Sequence, residues 1–109
     1  MADRGAKDAL YEGFAEVARA LASGRRAEMA DLLAQGERPV EQIAGEIGQS
    51  VANTSHHLRA MARAGLVTTR RDGTRIFYTL ASDRVAALCS AATSCSADHR
   101  AATRSLASV

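Results

Sequence analysis

The sequence predicts a mostly helical α+β fold in the order α-α-α-α-β-β-α, built as one domain over residues 1–109. Three observations predict it. Apolar residues recur at helical spacing through residues 8–64, two runs rich in β-branched and aromatic residues flank a turn signal in residues 66–80, and a further helix fits residues 83–105. The chain has no internal repeat and no long linker, so its length fits a single domain.

The first two helices are predicted from apolar stripes. Residues 8–23 carry the first stripe, which consists of Leu10, Phe14, Val17, Ala18 and Leu21. A second helix over about 25–34 follows the Ser23-Gly24 interruption and turns three side chains inward: Met29, Leu32 and Leu33. Residues 35–38 are predicted to form a turn, in which Gly36 suits the position after a helix end.

Two short helices with a tight glycine turn between them come next. Pro39 can stand in the first turn of the third helix, over 40–47, because its missing N–H costs nothing there. Gly48 ends that helix. Ser50 is a good N-cap for the fourth helix, which is predicted over 51–64 and ends at Gly65.

The pattern then changes to β-type. Residues 66–71 and 75–80 are predicted strands, and Asp72-Gly73-Thr74 between them is a hairpin turn in which Gly73 can take a positive φ. Ser82 is the predicted N-cap of the last helix, over 83–105. Two short helices followed by a hairpin with a basic tip describe a winged helix-turn-helix.

The fourth helix separates into an apolar and a polar face when its residues are placed about 100° apart. The predicted buried face consists of Val51, Thr54, Leu58, Met61 and Ala62. The predicted outer face consists of Ala52, His56, Arg59 and Arg63, with Asn53 and Ala60 beside it. Small alanines let a groove wall approach, and a helix of this kind suits the DNA major groove.

The polar side chains of this helix have the chemistry of nucleic-acid readers. Asn53 offers a donor and an acceptor to a base edge, and Arg59 and Arg63 can reach bases or phosphates. Ser50 and the free N–H groups of the first turn form a natural phosphate site. The alternative for Arg59 and Arg63 is a solvated helix face, which is the better interpretation for such arginines taken alone.

The charge distribution favours the DNA interpretation. The formal net charge is only +2, yet residues 49–80 carry five arginines against one aspartate, a net charge of +4. Three of those arginines, Arg70, Arg71 and Arg75, lie on the predicted hairpin, where extra phosphate or minor-groove contacts are expected. A concentrated positive segment predicts an anionic partner, namely double-stranded DNA.

Several other classes are excluded or disfavoured. The sequence has no apolar run long enough to span a membrane, and its polar N-terminus has no secretory apolar region, so a cytoplasmic protein with reduced thiols is expected. No Gly-rich phosphate loop, HExxH or recognisable nucleophile motif is present, which argues against an enzyme. His56 and His57 point about 100° apart without an acidic, His or Cys partner at i±4, so His56 is expected to face DNA and His57 to be half-buried and hydrogen-bonded.

The stretch from Ala20 to Leu80 resembles the arsenic-repressor (ArsR/SmtB) family of bacterial regulators. The resemblance is carried by SHHLRAMARAGLV at residues 55–67 and RRDGTRIFYTL at residues 70–80. It implies a homodimeric repressor that binds a palindromic operator, with the first and last helices at the dimer interface. The residues that it implies for DNA recognition are Ser50, Asn53, Ser55, His56 and Arg59 on the helix and Arg71, Thr74 and Arg75 on the wing.

The chain departs from the metal-sensing members of that family. Their cysteine site would fall within residues 40–44, where no cysteine occurs. Their zinc site would fall on the last helix, where the matching positions hold Ser82, Arg84, Cys95 and Asp98, and an arginine cannot replace a histidine ligand. No metal and no cofactor are therefore predicted.

The last helix carries a candidate dimer seam and a candidate sensing set. One stripe at alternating spacings of three and four consists of Val85, Leu88, Ala92, Cys95, His99, Ala102 and Leu106. Cys89 cannot bond Cys95 within one helix but could meet Cys95 of a second copy. Three interpretations of Cys89, Cys95 and His99 stay open: packing, a redox or sulfur-species sensor, and a soft-metal or arsenite site.

The sequence therefore predicts a homodimeric, sequence-specific DNA-binding repressor that an unidentified effector releases. The alternative is a winged-helix module that binds another protein and no DNA. The basic segment at residues 49–80 argues against that alternative, because a partner-binding wing needs no concentrated positive charge.

Overall fold

A computed structural model describes residues 3–107 of the chain. The elements are α1 (Arg4–Ala20), α2 (Gly24–Leu33), β1 (Arg38–Pro39), α3 (Val40–Ile47), α4 (Val51–Arg63), β2 (Val67–Asp72), β3 (Arg75–Leu80) and α5 (Asp83–Ala107). This is the predicted order with one short strand added. None of the helices over this part of the chain is long and apolar enough to cross a membrane.

The helix-turn-helix is set by its capping residues. Gly48 ends α3 in the left-handed conformation with φ of 68°, which a residue with a Cβ adopts only with strain. Two residues later, the Ser50 Oγ accepts a hydrogen bond from the Asn53 N–H at 3.0 Å and caps α4. The turn between the two helices is therefore short and fixed at both ends, as predicted.

The sheet has three antiparallel strands in the order β1-β3-β2, where the sequence predicted two. Residues 35–38 were expected to be a turn and Pro39 the first turn of a helix. Instead Arg38 and Pro39 pair with Tyr78 and Phe77 of β3, and Pro39 precedes α3 as its N-cap. The Arg38 guanidinium donates to the carbonyl oxygens of Leu32 and Gly36, and these bonds hold the short edge strand against the end of α2.

The core lies between α2, α3, α4, the sheet and the beginning of α5. Its fully buried side chains include Met29, Ile43, Leu58, Met61 and Leu66. Most of α1 and of α5 lies outside this core: Leu10 and Phe14 are 67% and 72% exposed, and Leu88 is 44% exposed. Val51, which was predicted to be buried, is 49% exposed, because periodicity gives a direction around a helix but not whether another element lies there.

Candidate nucleic-acid interface

The polar face of α4 is open to solvent as predicted. Four outward side chains are exposed, Asn53, His56, Arg59 and Arg63, while Thr54, Leu58 and Met61 on the opposite face are buried. Ser55 is half-buried. The helix therefore presents amide, imidazole and guanidinium groups on one side and is anchored by apolar contacts on the other.

The first turn of α4 carries a small polar cluster, of which the sequence predicted Ser50 and Asn53. The Ser50 Oγ accepts from the Asn53 N–H, so its own proton stays available for donation to an anion. The Asn53 Nδ2 donates to the Gln49 Oε1 at 2.8 Å. Gln49 was not predicted to belong to the site, although its spacing of four residues from Asn53 was a signal for such a pair.

His57 ties α4 to α2. The Arg26 Nε donates to the His57 Nδ1 at 2.9 Å, so this nitrogen carries no proton. His57 is half-buried and hydrogen-bonded, as predicted. Burial lowers the pKa of His57, and the electrostatic effect of Arg26 and then of His56 lowers it further. The His56 and His57 rings meet edge to face with centroids 5.9 Å apart, and His56 remains exposed.

The wing distributes its arginines over two faces. Arg70 lies opposite Phe77 in the β2–β3 ladder, and Arg75 precedes Phe77 by two residues, so these three share one face of the sheet. Arg71 lies opposite Ile76 on the other face. Thr74 is exposed in the turn, where Gly73 has a φ of 63°.

Two wing arginines are already paired with carboxylates, although the sequence pattern did not predict these pairs. The Arg75 Nε lies 2.7 Å from the Glu41 Oε1 of α3, so the guanidinium that is predicted to contact DNA also has a partner within the protein. The Arg70 Nε and Nη2 both donate to Glu37, at 3.1 and 2.7 Å. Both guanidinium groups also cover the Phe77 ring, with their Cζ atoms 4.6 Å (Arg70) and 5.2 Å (Arg75) from its centroid.

The pKa values of these carboxyl groups reflect the pairing. The hydrogen bond from Arg70, opposed by some burial and helped by the arginine's charge, lowers the pKa of Glu37 and raises that of Arg70 in return. The pKa of Glu41 is lowered first by a hydrogen bond from its own backbone N–H and then by Arg75. Both carboxylates therefore stay charged well below neutral pH.

The remaining arginines of the predicted site carry unpaired charge. Arg59, Arg63 and Arg71 are exposed and make no hydrogen bond or ion pair with any residue in 3–107. Unpaired guanidinium groups on one molecule attract phosphates without first breaking an internal bond. These three arginines are therefore the predicted site's cations that can bind an anion without first losing an internal partner.

The candidate sensing residues on α5 do not share an environment. Cys89 is buried in the core at 7% exposure, and burial, with a smaller effect of Asp31, raises the pKa of its thiol. Cys95 and His99 are exposed. The expected meeting of Cys89 with Cys95 of a second copy stays a prediction, for which the structure leaves 7% of Cys89 exposed.

Cys89 also lines a groove of about 540 Å³ between α5 and the segment containing Leu21 and Ala27, with Arg100 and Arg104 along α5. Within residues 3–107, three or more His, Cys, Asp or Glu side chains do not come together in a group able to hold a metal ion. The geometry of α5 thus combines a buried thiol, an exposed thiol and apolar surface.

Comparison with known proteins identifies related chains. Residues 23–69 match the family described as bacterial regulatory protein, arsR family. The HTH-type transcriptional regulator Rv0324 of Mycobacterium tuberculosis is 49% identical over 82 residues, which cover 75% of this chain and 36% of that protein. Rv0081, an uncharacterized HTH-type transcriptional regulator of the same species, is 35% identical over 72% of this chain and 70% of its own length.

A solved structure has the same fold over most of this chain. The homodimeric winged helix-turn-helix DNA-binding domain of Mb0332 from Mycobacterium bovis, described as a possible ArsR-family transcriptional regulator, superimposes with a TM-score of 0.81. It is 43% identical, and the match covers 91% of this chain and 90% of that fragment. The chain spans about a third to a half of the length of the first curated relatives, 36% of Rv0324 and 54% of the HTH-type regulator KmtR.

Proposed function

The chain belongs to the arsR family of bacterial regulatory proteins, and from that premise we propose that it is a sequence-specific DNA-binding transcriptional regulator that acts as a homodimeric repressor. The observation that carries the proposal is the outer face of α4, where Arg59 and Arg63 are exposed and unpaired beside Asn53 and His56. With double-stranded DNA as the proposed partner, we expect a cytoplasmic location.

In the proposed complex, α4 enters the major groove with its N-terminal end first. Asn53 exchanges its bond with Gln49 for a base edge, and His56 donates to a second base or to a phosphate. Ser50 donates its free hydroxyl proton to a phosphate, while Arg59, Arg63 and Arg71 neutralise the backbone. Ser55 and Thr74 lie at the margins of this surface, where their hydroxyl groups can add phosphate contacts.

The proposed dimer is supported by apolar surface that one protomer leaves open. Leu10, Tyr11 and Phe14 on α1 and Leu88 and Leu106 on α5 are all exposed large side chains. The related Mb0332 domain is described as homodimeric. Pairing of these helices across a two-fold axis would space two α4 helices by about 34–36 Å, one turn of DNA, so a palindromic operator is expected.

Release of the repressor is assigned to an effector that changes the α5 pairing. Helix α5 lines the groove and carries Cys95 and His99. The same helix supplies part of the proposed dimer surface. A ligand that binds one arrangement of the α5 helices better than another would change the spacing of the α4 helices and so the operator affinity.

DNA binding is tested with a duplex of about 30 base pairs, enriched from a random library by repeated binding to the wild type. Affinity for this duplex and for a random duplex of equal length is measured by fluorescence anisotropy across a salt series. Salt-dependent binding with a slope of log K against log salt of about −4 to −7 is expected. Arg59→Ala should flatten the slope, and Asn53→Ala should reduce affinity for the enriched duplex more than for the random one. A salt-independent wild type, or a library that yields no enriched sequence, would overturn the proposal.

A further inference from the structure

The Glu41–Arg75 pair differs from the Glu37–Arg70 pair in the donors that it leaves open. Glu37 takes one N–H from the Nε and one from the Nη2 of Arg70, which leaves three N–H groups of that guanidinium open. Glu41 takes only the Nε of Arg75. The two terminal nitrogens of Arg75 make no hydrogen bond with any residue in 3–107, and its side chain is 54% exposed. Arg75 can therefore hold its carboxylate and a second planar acceptor at the same time.

The Arg75 side chain is held in place from two directions. The Glu41 carboxylate fixes the Nε, and the Phe77 ring lies under the guanidinium with its centroid 5.2 Å from Cζ. Glu41 is itself placed in the first turn of α3, at the beginning of the helix-turn-helix. The pair thus joins the wing to the helix-turn-helix across 34 residues of sequence.

A guanidinium and its carboxylate partner together have little net charge, but the donors of the guanidinium are fixed in position. The nearby carboxylate weakens its attraction to phosphates in general, because the field of the pair falls off faster than that of a lone cation. The fixed donors still favour an acceptor at one particular position. Such an arrangement increases discrimination between sequences rather than overall affinity.

We propose that Glu41 is a positioning residue for operator recognition. It holds Arg75 so that the terminal nitrogens of Arg75 enter the minor groove next to the major groove that α4 occupies. Arg75 in this position reads groove width and acceptor placement. Glu37 precedes β1 and lies outside the helix-turn-helix, so its pair with Arg70 anchors the wing and does not discriminate between sequences. The proposal rests on the proposed DNA-binding function.

Two neutral variants separate positioning from charge. Glu41→Gln and Glu41→Ala remove the same charge, but only glutamine keeps an oxygen that can accept from the Arg75 Nε. Both variants should bind random DNA more tightly than the wild type and with a steeper salt slope. The ratio of affinities for the enriched and the random duplex should stay near the wild-type value in Glu41→Gln and fall by about twofold to fivefold per protomer in Glu41→Ala.

Two controls show whether the effect passes through Arg75. In an Arg75→Ala background, the difference between Glu41→Gln and Glu41→Ala should vanish. Glu37→Gln and Glu37→Ala should give equal affinity ratios. Circular dichroism and thermal unfolding check each fold, and Glu41→Ser, neutral and too short to reach Arg75, replaces the alanine variant if that one unfolds.

Equal affinity ratios for Glu41→Gln and Glu41→Ala would overturn the proposal, as would a difference that persists without Arg75. Neither result would affect the proposed function, because that depends on salt-dependent, sequence-selective binding by the wild type. Loss of wild-type binding, in contrast, would remove both.

Discussion

Replacement of Thr54 by valine is expected to stabilise the fold. Thr54 is fully buried on the inner face of α4, and its Oγ1 has no hydrogen-bond partner in the described part of the chain, residues 3–107. A buried hydroxyl without a partner costs about 1–3 kcal/mol. Valine keeps the β-branched shape with a similar helix propensity, so we expect a gain of about 1 kcal/mol, equivalent to about 4 °C in Tm.

Urea and thermal unfolding measure this change, at one fixed protomer concentration because the Tm of an oligomer depends on concentration. Thr93→Val is the matched control: the Thr93 Oγ1 donates to the Cys89 carbonyl at 2.8 Å, so the same substitution there removes a satisfied bond and should not stabilise. Thr54→Ser keeps the hydroxyl and deletes a methyl group, and should cost about 1 kcal/mol. A Thr54→Val protein less stable than the wild type, with an unchanged urea m-value, would refute the reasoning.

Three further predictions concern the dimer, pH and the thiols. Leu88→Glu should give folded monomers with weak operator binding, since Leu88 is already 44% exposed in one protomer; a dimer in sedimentation equilibrium would contradict this. Because the pKa of His57 is lowered in the folded protein, the unfolded chain takes up this proton at a higher pH than the folded one. The free energy of unfolding should therefore fall as the pH drops below the ordinary histidine pKa of 6.5, and His57→Gln should reduce this fall. Urea unfolding at a series of pH values from about 7.5 to about 5 measures the change. In a Cys95→Ser variant the remaining buried Cys89 thiol should resist a thiol reagent until urea unfolds the chain, and rapid native labelling would show that the α5 packing is wrong.

The helical part of the fold was predicted correctly because the bonds that begin and end these helices join residues close together in the sequence. Gly48 and Ser50 end one helix and begin the next through bonds within a few residues, so their sequence alone placed the turn. The half-buried state of His57 also followed from its angle on α4. Its partner Arg26 did not, since it lies 31 residues earlier in the chain.

The features that the sequence did not predict all depend on contacts between residues far apart in the chain. Strand β1 has only two residues, and its pairing with Tyr78 and Phe77 of β3 leaves no period that a sequence pattern could show. The carboxylate partners of Arg70 and Arg75 are 33 and 34 residues away, on the segment that this strand joins to the sheet. The pairing of this short strand with β3 brings both glutamates close to the wing arginines. The two ion pairs therefore could not be predicted without the strand.

The basic segment at residues 49–80 carries less unpaired charge than its sequence implies. Its net charge of +4 over residues 49–80 counts Arg70 and Arg75 in full, yet each is bonded to a glutamate from the more acidic part of the chain before residue 49. Three unpaired arginines of the site remain on each protomer, Arg59, Arg63 and Arg71, and six phosphate contacts in a dimer give a salt slope of about −5. Eight contacts, with Arg75 counted as a free cation, give about −7. A wild-type slope near −5 that steepens in Glu41→Gln would therefore show that the glutamate remains bonded to Arg75 on the DNA, and a wild-type slope already near −7 would show that phosphate displaces it.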